Sequence, residues 1–406
     1  MHICFFSIVT YWHGIKGGMD LHGKHLLEGL AKEGHSITVI STKHPSLKEY
    51  EEIRGIKLYY LKHTTFGSSR KAWKRESIKK FKHLLKQEKI DVVLSQSKAG
   101  YSVTRIAKKM GIPIVTIMHG YRRMIFSSIL NQVINFRTGH LELLKSILSL
   151  LYYSLFQELP LLMKSSIIIA VSERVAKALA SRSYVEKNKV IVINNGIDIE
   201  TFKPSDDQEK QLRDTLSILD QDRAILFLSL ISKQKGTDIA IKALNELSHI
   251  NNIKLIIAGD GEYLEEAKLL AKYYSIEPRV IFAGFISNED TPKYYNVSDI
   301  FIFPTLRLES HPIVLIEAMA CMKPIIASNI GGIPDVIDDG INGILIPPGD
   351  FRELARQIDI LLNDSSYSKT LASNARLKAS HKFDMNRMIG ETLDVLGLAI
   401  KNKQPT

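Results

Sequence analysis

Four stretches of this 406-residue chain combine residue types and spacings that can do chemistry. The densest is Glu309-Ser-His-Pro-Ile-Val-Leu-Ile-Glu317. A strand, DIFIFP, ends at Pro304, and Pro312 suits the first position of a helix capped by Ser310 or His311. Glu309 then stands in the loop, and Glu317 lies about 7.5 Å beyond Pro312 along the helix axis. Two carboxylates so placed suit hydroxyls at the two ends of an elongated ligand. The unpaired N–H groups of the helix start suit phosphates between them. The plainer reading is a helix with solvated acids. Ile313, Leu315, Ile316, Ala318 and Ala320 argue against it, because they bury the helix and would leave Glu317 in need of a partner.

The other three stretches are weaker taken singly. Gly17-Gly18 precedes a helix beginning near Met19, where backbone N–H groups and the helix dipole can meet a phosphate; a tight turn explains the pair equally well. Lys235-Gly236 follows a strand and precedes a helix, and a lysine there can reach a diphosphate as a point charge; a solvated loop lysine is the commoner case. His119 closes the strand PIVTIMH and can donate to a substrate hydroxyl, or simply cap the strand. Gly17-Gly18 is not G-x-G-x-x-G, and no acid ends the next strand, so dinucleotide binding is poorly supported. No metal site is expected: there is no D-x-D after a strand, no H-E-x-x-H and no Cys/His cluster. His22 and His25 share a helix face without a third ligand. Walker A and G-x-S-x-G patterns are missing as well.

The elements that must position these residues form two series. Short apolar runs at 3–9, 36–41, 56–61, 91–95, 113–119, 166–172 and 190–194 alternate with amphipathic segments such as Met19–Lys32, Ala72–Lys89 and Tyr101–Met110. A second series runs through 224–231, 253–259, 279–285, 299–304, 323–328 and 343–348. Alternating strands and helices predict parallel sheets covered on both faces. The fold class is therefore α/β, with two doubly wound domains facing across a cleft: 1–195, 196–383, and a final helix and tail, 384–406, free to pack back on the first. Asn195-Gly196 and the polar stretch 203–211 mark the hinge.

Charge divides with the domains. Residues 1–200 hold 31 Lys+Arg against 15 Asp+Glu, a net +16, and residues 201–406 hold 23 against 28, a net −5. A basic half fits nucleic acid, an anionic membrane or a phosphorylated substrate; no nucleic-acid-binding motif accompanies it. The first residues lack the basic region and cleavage site of a signal peptide. The apolar run Ser146–Phe156 is shorter than the roughly 20 residues of a bilayer span. Two cysteines build no disulfide framework. These points predict a cytoplasmic protein, peripheral on the inner face of the membrane. The expected contact is 70–89, whose Ile78, Phe81 and Leu85 share a face bordered by lysines including Lys79, Lys80 and Lys82, with some support from the apolar segment 124–163.

Taken in order, these motifs resemble the retaining glycosyltransferases of family 4. GGMDLHGKHLLEGLAKEGHSITVIST, VINNGIDIETFKP, LIIAGDGE, VIFAGFIS, the E-x7-E of Glu309 to Glu317 and AMACMKPIIASNIGGIPDVI carry the likeness over nearly the whole chain. The resemblance implies a GT-B fold of two Rossmann-like domains and metal-free, retaining transfer of a sugar from a UDP- or GDP-linked donor to a glycan or lipid-linked acceptor, with no separate cofactor. It implies cell-surface polysaccharide or glycolipid synthesis, and domain closure about the hinge to exclude water. By the same likeness, Gly17 and Gly18 cradle the donor diphosphate and Lys235 neutralises it. Glu317 binds the ribose, Phe285 and Ile286 flank the nucleobase, and Glu309 orients the sugar. Backbone groups around His311, Pro312, Ile313 and Val314 contact sugar and phosphate, and His119 approaches the sugar. Two positions depart from the pattern. Leu230 stands where an arginine is usual, leaving Lys233 as the neighbouring cation, and Ser310-His311 replaces a glycine and an aromatic. A GT-B-type nucleotide-sugar epimerase and a non-catalytic sugar-nucleotide-binding module are the alternatives.

Overall fold

The computed structural model describes residues 1–14, 17–120, 140–205 and 209–402. Residues 124–139 of the apolar segment and 206–208 of the polar stretch lie outside them. The chain divides into two compact units, Met1–Asn195 with the chain from Met385 onward, and Gly196–Asp384.

The first unit is built on an eight-stranded sheet in the order β3-β4-β2-β1-β5-β6-β7-β8. Its strands are β1 (His2–Phe6), β2 (Ser36–Thr42), β3 (Tyr50–Ile53), β4 (Ile56–Leu61), β5 (Val92–Gln96), β6 (Ile114–Met118), β7 (Ile167–Ala170) and β8 (Val190–Val192). All pair in parallel except β3, which is antiparallel to β4. Along β1 the side chains alternate between two apolar cores: Ile3 and Phe5 enter one, Cys4 and Phe6 the other. A strand buried on both faces reads as a continuous apolar run, which is why the sequence exposes it. The helix Met385–Lys401 adds Met388, Ile389, Val395, Leu396 and Ala399 to the first of these cores.

The edge strand β3 is absent from the strand series read in the sequence, which passes from 36–41 to 56–61. Arg54 and Gly55 both adopt positive φ, 52° and 78°, the geometry of a two-residue hairpin turn. The edge strand itself, YEEI, carries Glu51 and Glu52, which suit a sheet edge more than a core. The helix expected over Tyr101–Met110 starts as a 3-10 turn at Ser97 and is α-helical only over Thr104–Lys109. A larger correction concerns the helix Lys71–Gln87. Its Trp73, Phe81 and Leu84 are buried in the core it shares with Phe6, and Ile78 and Leu85 pack on the same core. The apolar face on which membrane contact was predicted is therefore used inside the unit, and Lys80 is drawn over the Tyr59 ring, 3.3 Å from its centroid.

The second unit has a six-stranded, all-parallel sheet in the order β11-β10-β9-β12-β13-β14. The strands are β9 (Arg223–Leu228), β10 (Ile253–Ala258), β11 (Val280–Gly284), β12 (Ile300–Phe303), β13 (Ile325–Ser328) and β14 (Ile344–Ile346). Renumbered from one, this is the 3-2-1-4-5-6 order of a dinucleotide-binding sheet, with the reversal between β9 and β12. Ile225 and Phe227 of β9 face one core, Ala224 and Leu226 the other. At the unit's margin the Ile197 N–H donates to Phe383 O at 2.9 Å. Arg376 donates to the carbonyls of Ile199, Phe202 and Ala320, tying the chain after Gly196 to the rest of the unit.

Candidate functional site

In open parallel sheets ligands bind beyond the carboxyl ends of the strands, where the strand order reverses. In the second unit that point lies above β9 and β12, and the two loops leaving these strands are joined there. Thr305 Oγ1 donates to Gln234 O at 3.2 Å and the Leu306 N–H to the same carbonyl at 2.9 Å. Lys235 ends a 3-10 turn after β9, and Gly236 follows at φ 80°. A Cβ on Gly236 would stand 2.0 Å from Pro304 O, so only glycine lets the β12 strand end come this close. The result is an ion pair: Lys235 Nζ donates to Glu309 Oε1 at 2.6 Å, with both side chains about 15% exposed.

Glu309 is held from below by Gly331-Gly332, which follow β13. The Gly332 N–H donates to Glu309 O at 2.7 Å. Side chains on these glycines would stand 2.5 Å from Glu309 O and 1.9 Å from Ser310 O. After the loop comes the helix Ile313–Ala320. Pro312, expected as its first residue, is instead its N-cap: its ψ of 119° is extended, and no side chain caps the helix. The neighbouring side chain, His311, is buried edge-on to Phe383 with ring centroids 5.1 Å apart. Ile313 and Val314 are partly buried, with their backbone in the first turn, where N–H groups lack intrahelical partners.

Glu317 lies deeper in the helix, 5% exposed among Leu315, Ile316 and Ala318. Burial pushes its carboxyl up to about 7, although a hydrogen bond from Tyr295 works in the opposite direction. Tyr295 is fully buried, and its hydroxyl lies 2.9 Å from Glu317 Oε2 and 3.0 Å from Val314 O. One hydroxyl proton cannot serve both acceptors fully. The protonated acid can donate to Tyr295 while Tyr295 donates to Val314, and the ionised acid competes with Val314 for the Tyr295 proton.

The loops after β9, β10 and β11 are also stitched together. The Ser229 N–H donates to Ala258 O at 3.1 Å, Ile231 to Asp260 O at 2.9 Å, and Gly259 to Gly284 O at 2.7 Å. On this shelf Phe285 is 60% exposed and Ile286 partly buried. Leu230 is 58% exposed there, an apolar side chain at a position open to solvent.

The first unit has its own reversal, between β1 and β5. Gly17 is the N-cap of the helix Gly18–Lys32, and Gly18 is its first residue. Asp20, in the first turn, is buried, and desolvation raises its carboxyl to about 6 while the Gly17 N–H pulls it the other way. Gln96, at the end of β5, accepts from Ser7 Oγ at 2.7 Å and donates to Met19 O at 2.6 Å, bridging the two strand ends to the helix start. His119 follows β6 and meets His22 edge to face, centroids 4.7 Å apart. Burial lowers His119 to about 4, so its imidazole is neutral at physiological pH.

The structure thus brings Lys235, Glu309 and the start of the Glu317 helix together in one unit, and places Gly17, Gly18 and His119 at strand ends of the other. Sequence reasoning missed Tyr295, Gln96 and Asp20. Gly331-Gly332 was visible, as a glycine pair after a strand, but its role under Glu309 was not. Among the described residues no group of three or more His, Cys, Asp or Glu could hold a metal ion.

Comparison with known proteins agrees with this fold. Residues 16–201 match the family Glycosyltransferase Family 4 and residues 208–378 match Glycosyl transferases group 1. An uncharacterized glycosyltransferase of Methanocaldococcus jannaschii is 28% identical over 95% of this chain and 96% of its own length. Alpha-monoglucosyldiacylglycerol synthase of Streptococcus pneumoniae is 27% identical over 78% of this chain and 69% of its own. Among solved structures, HepE of Anabaena in complex with UDP-glucose superimposes with a TM-score of 0.74 at 23% identity, covering 98% of this chain and all of that one. The order of β9 to β14 and these matches identify the chain as a glycosyltransferase of the GT-B fold, made of a family 4 domain followed by a group 1 domain.

Proposed function

We propose that the chain moves a sugar from a UDP- or GDP-linked donor to a hydroxyl of a glycan or lipid-linked acceptor, with retention at the anomeric carbon and without a metal ion. The observation that carries the reading is the Lys235–Glu309 pair at the strand reversal of the second unit. An ammonium has three donors, so Lys235 can keep Glu309 and still meet a phosphate oxygen. Glu309 can accept from sugar hydroxyls, and the first turn beyond it can hold phosphate on its N–H groups. Phe285 offers its face to the nucleobase, and Glu317 accepts from the ribose hydroxyls.

In the reaction the bond between the anomeric carbon and the diphosphate breaks, and the acceptor oxygen bonds the same face. The acceptor proton passes to the departing phosphate. The charge that grows on the diphosphate is met by Lys235 and by helix N-termini, groups already oriented before the reaction. HepE was crystallised with UDP-glucose, and one relative is named for a lipid product; both support the donor and acceptor classes proposed.

The test is a panel of UDP- and GDP-sugars with glycan and lipid acceptors, read as release of nucleoside diphosphate. Lys235→Ala and Glu309→Gln should each lower turnover about 100-fold or more. Near-wild-type rates in both would refute the site. An inverted product anomer would refute retention, and loss of activity with EDTA restored by a divalent ion would refute metal independence. Conversion of the sugar nucleotide without acceptor would mark an epimerase.

A further inference from the structure

Around its π-turn, the helical run from His140 to Lys164 has its polarity reversed. A helix, His140–Tyr153, passes through a π-turn, Ser154–Glu158, into a second helix, Leu159–Lys164. A surface helix ordinarily hides its apolar stripe and shows its polar one. Around the π-turn the buried side chains are Ser154 and Gln157, and Gln157 is anchored to Ser69, accepting from its hydroxyl at 2.7 Å and donating to its carbonyl at 2.8 Å. The exposed ones are apolar. Leu148, Leu151, Tyr152, Leu155 and Phe156, spaced i, i+3, i+4, i+7 and i+8, are between 42% and 63% exposed. They form one continuous stripe, with the Tyr152 and Phe156 rings 5.3 Å apart. Contiguous exposed apolar surface of this kind marks an interaction site.

Cations border the stripe. The Arg70 Nε donates to Tyr153 Oη at 3.3 Å, the Lys98 ammonium lies 3.5 Å from the centre of the Tyr153 ring, and Lys145 is exposed one turn ahead of Leu148. Glu158, two residues past Phe156, is engaged by Arg182. We infer that this face docks on an anionic lipid bilayer, with Leu148, Leu151, Leu155 and Phe156 entering the acyl boundary and the exposed Arg70 and Lys145 meeting headgroup phosphates. Leu, Phe and Tyr on one face with Lys and Arg beside them is the pattern of a helix lying in a membrane interface. A two-fold contact with a second copy would set these cations against their own images, which charge opposes. No helix among the described residues is long and apolar enough to cross a membrane, so the contact is one of lying on the surface. The site differs from the helix Lys71–Gln87, whose apolar face is buried, and it does not depend on the transfer reaction.

The experiment is co-sedimentation of the full chain with vesicles of phosphatidylcholine alone and of phosphatidylcholine with phosphatidylglycerol, and needs neither donor nor acceptor. The wild type should bind the anionic vesicles, more weakly as salt is raised. The double variant L155S/F156S should bind about tenfold more weakly or worse, as should L148S/L151S. All four positions are exposed, so unfolding curves of both variants should overlay the wild type. Absence of binding to anionic vesicles, or equal binding by wild type and both variants, would overturn the inference. So would a wild-type dimer in light scattering that becomes a monomer in L155S/F156S, because the face would then belong to a second copy.

Discussion

Glu317→Gln tests whether the deep carboxylate is held at a cost. Burial raises the Glu317 carboxyl from 4.5 to about 7. For an acid raised in the folded state, the stabilising contribution is complete below the unfolded value and is lost as pH rises through the folded one. Here the window runs from about pH 4.5 to a little above 7. At 1.36 kcal/mol per unit, the gap amounts to about 3 kcal/mol. Glutamine keeps the shape and an acceptor for Tyr295 without the charge. The stability of E317Q relative to wild type should therefore rise by about 3 kcal/mol between pH 4.5 and pH 8. Other titrating groups, Asp20 among them, are common to both proteins and cancel in the difference.

The probe must see the second unit. Both tryptophans, Trp12 and Trp73, lie in the first, so their fluorescence is blind to it. Urea unfolding by far-UV circular dichroism, with amide exchange of the helix Ile313–Ala320, reports the right region. A wild type to E317Q difference that stays flat across this range would refute the argument. A wild type that gains on the variant as pH rises would show instead that the ionised carboxylate has a strong partner. Calorimetry with UDP adds the functional arm: under the proposed function E317Q should bind about tenfold more weakly, because it offers the ribose no charged acceptor.

Two further outcomes follow from the same loops. Leu230→Arg places a cation at an exposed position on the β9 loop and should tighten UDP binding about three- to tenfold at low salt, an effect that calorimetry should see fade as salt is raised. Gly332→Ala drives a Cβ to 1.9 Å from Ser310 O, so the loop carrying Glu309 must shift; turnover should fall about 100-fold, with a loss of about 1–3 kcal/mol in stability.

Much of the fold was legible because parallel strands are buried on both faces. ICFFSIV and AILFLSLI announce themselves as cores, and glycines and charged loops punctuate them. The edge strand β3 was not legible, since YEEI has neither apolar alternation nor a glycine at both turn positions. Of the candidate site, Glu309 and Lys235 were readable from their places after strands and Glu317 from the apolar helix that buries it. Tyr295 was not: it reaches Glu317 across 22 positions, and an aromatic in a helix reads as core. The stripe on the helix Lys71–Gln87 misled for a related reason. Periodicity reports that a face is apolar, but not whether protein or lipid covers it. Ser154 and Gln157 reveal the reverse case only once their burial is seen.

The pairing of Lys235 with Glu309 changes how the missing arginine at position 230 should be understood. A diphosphate approaching this loop meets an ion pair with no net charge, beside an exposed leucine. Attraction must therefore come from other groups of this unit, the N–H groups of the turn after Glu309 and the exposed neighbouring cation Lys233. A donor carrying both sugar and phosphate can place hydroxyls on Glu309 and a phosphate oxygen on Lys235 without breaking the pair. A bare phosphate meets only half of it and is repelled by the other half. Under the proposed function the loop would select an intact donor over its leaving group by requiring both ends at once, a selectivity that an added arginine would weaken by rewarding the phosphate alone.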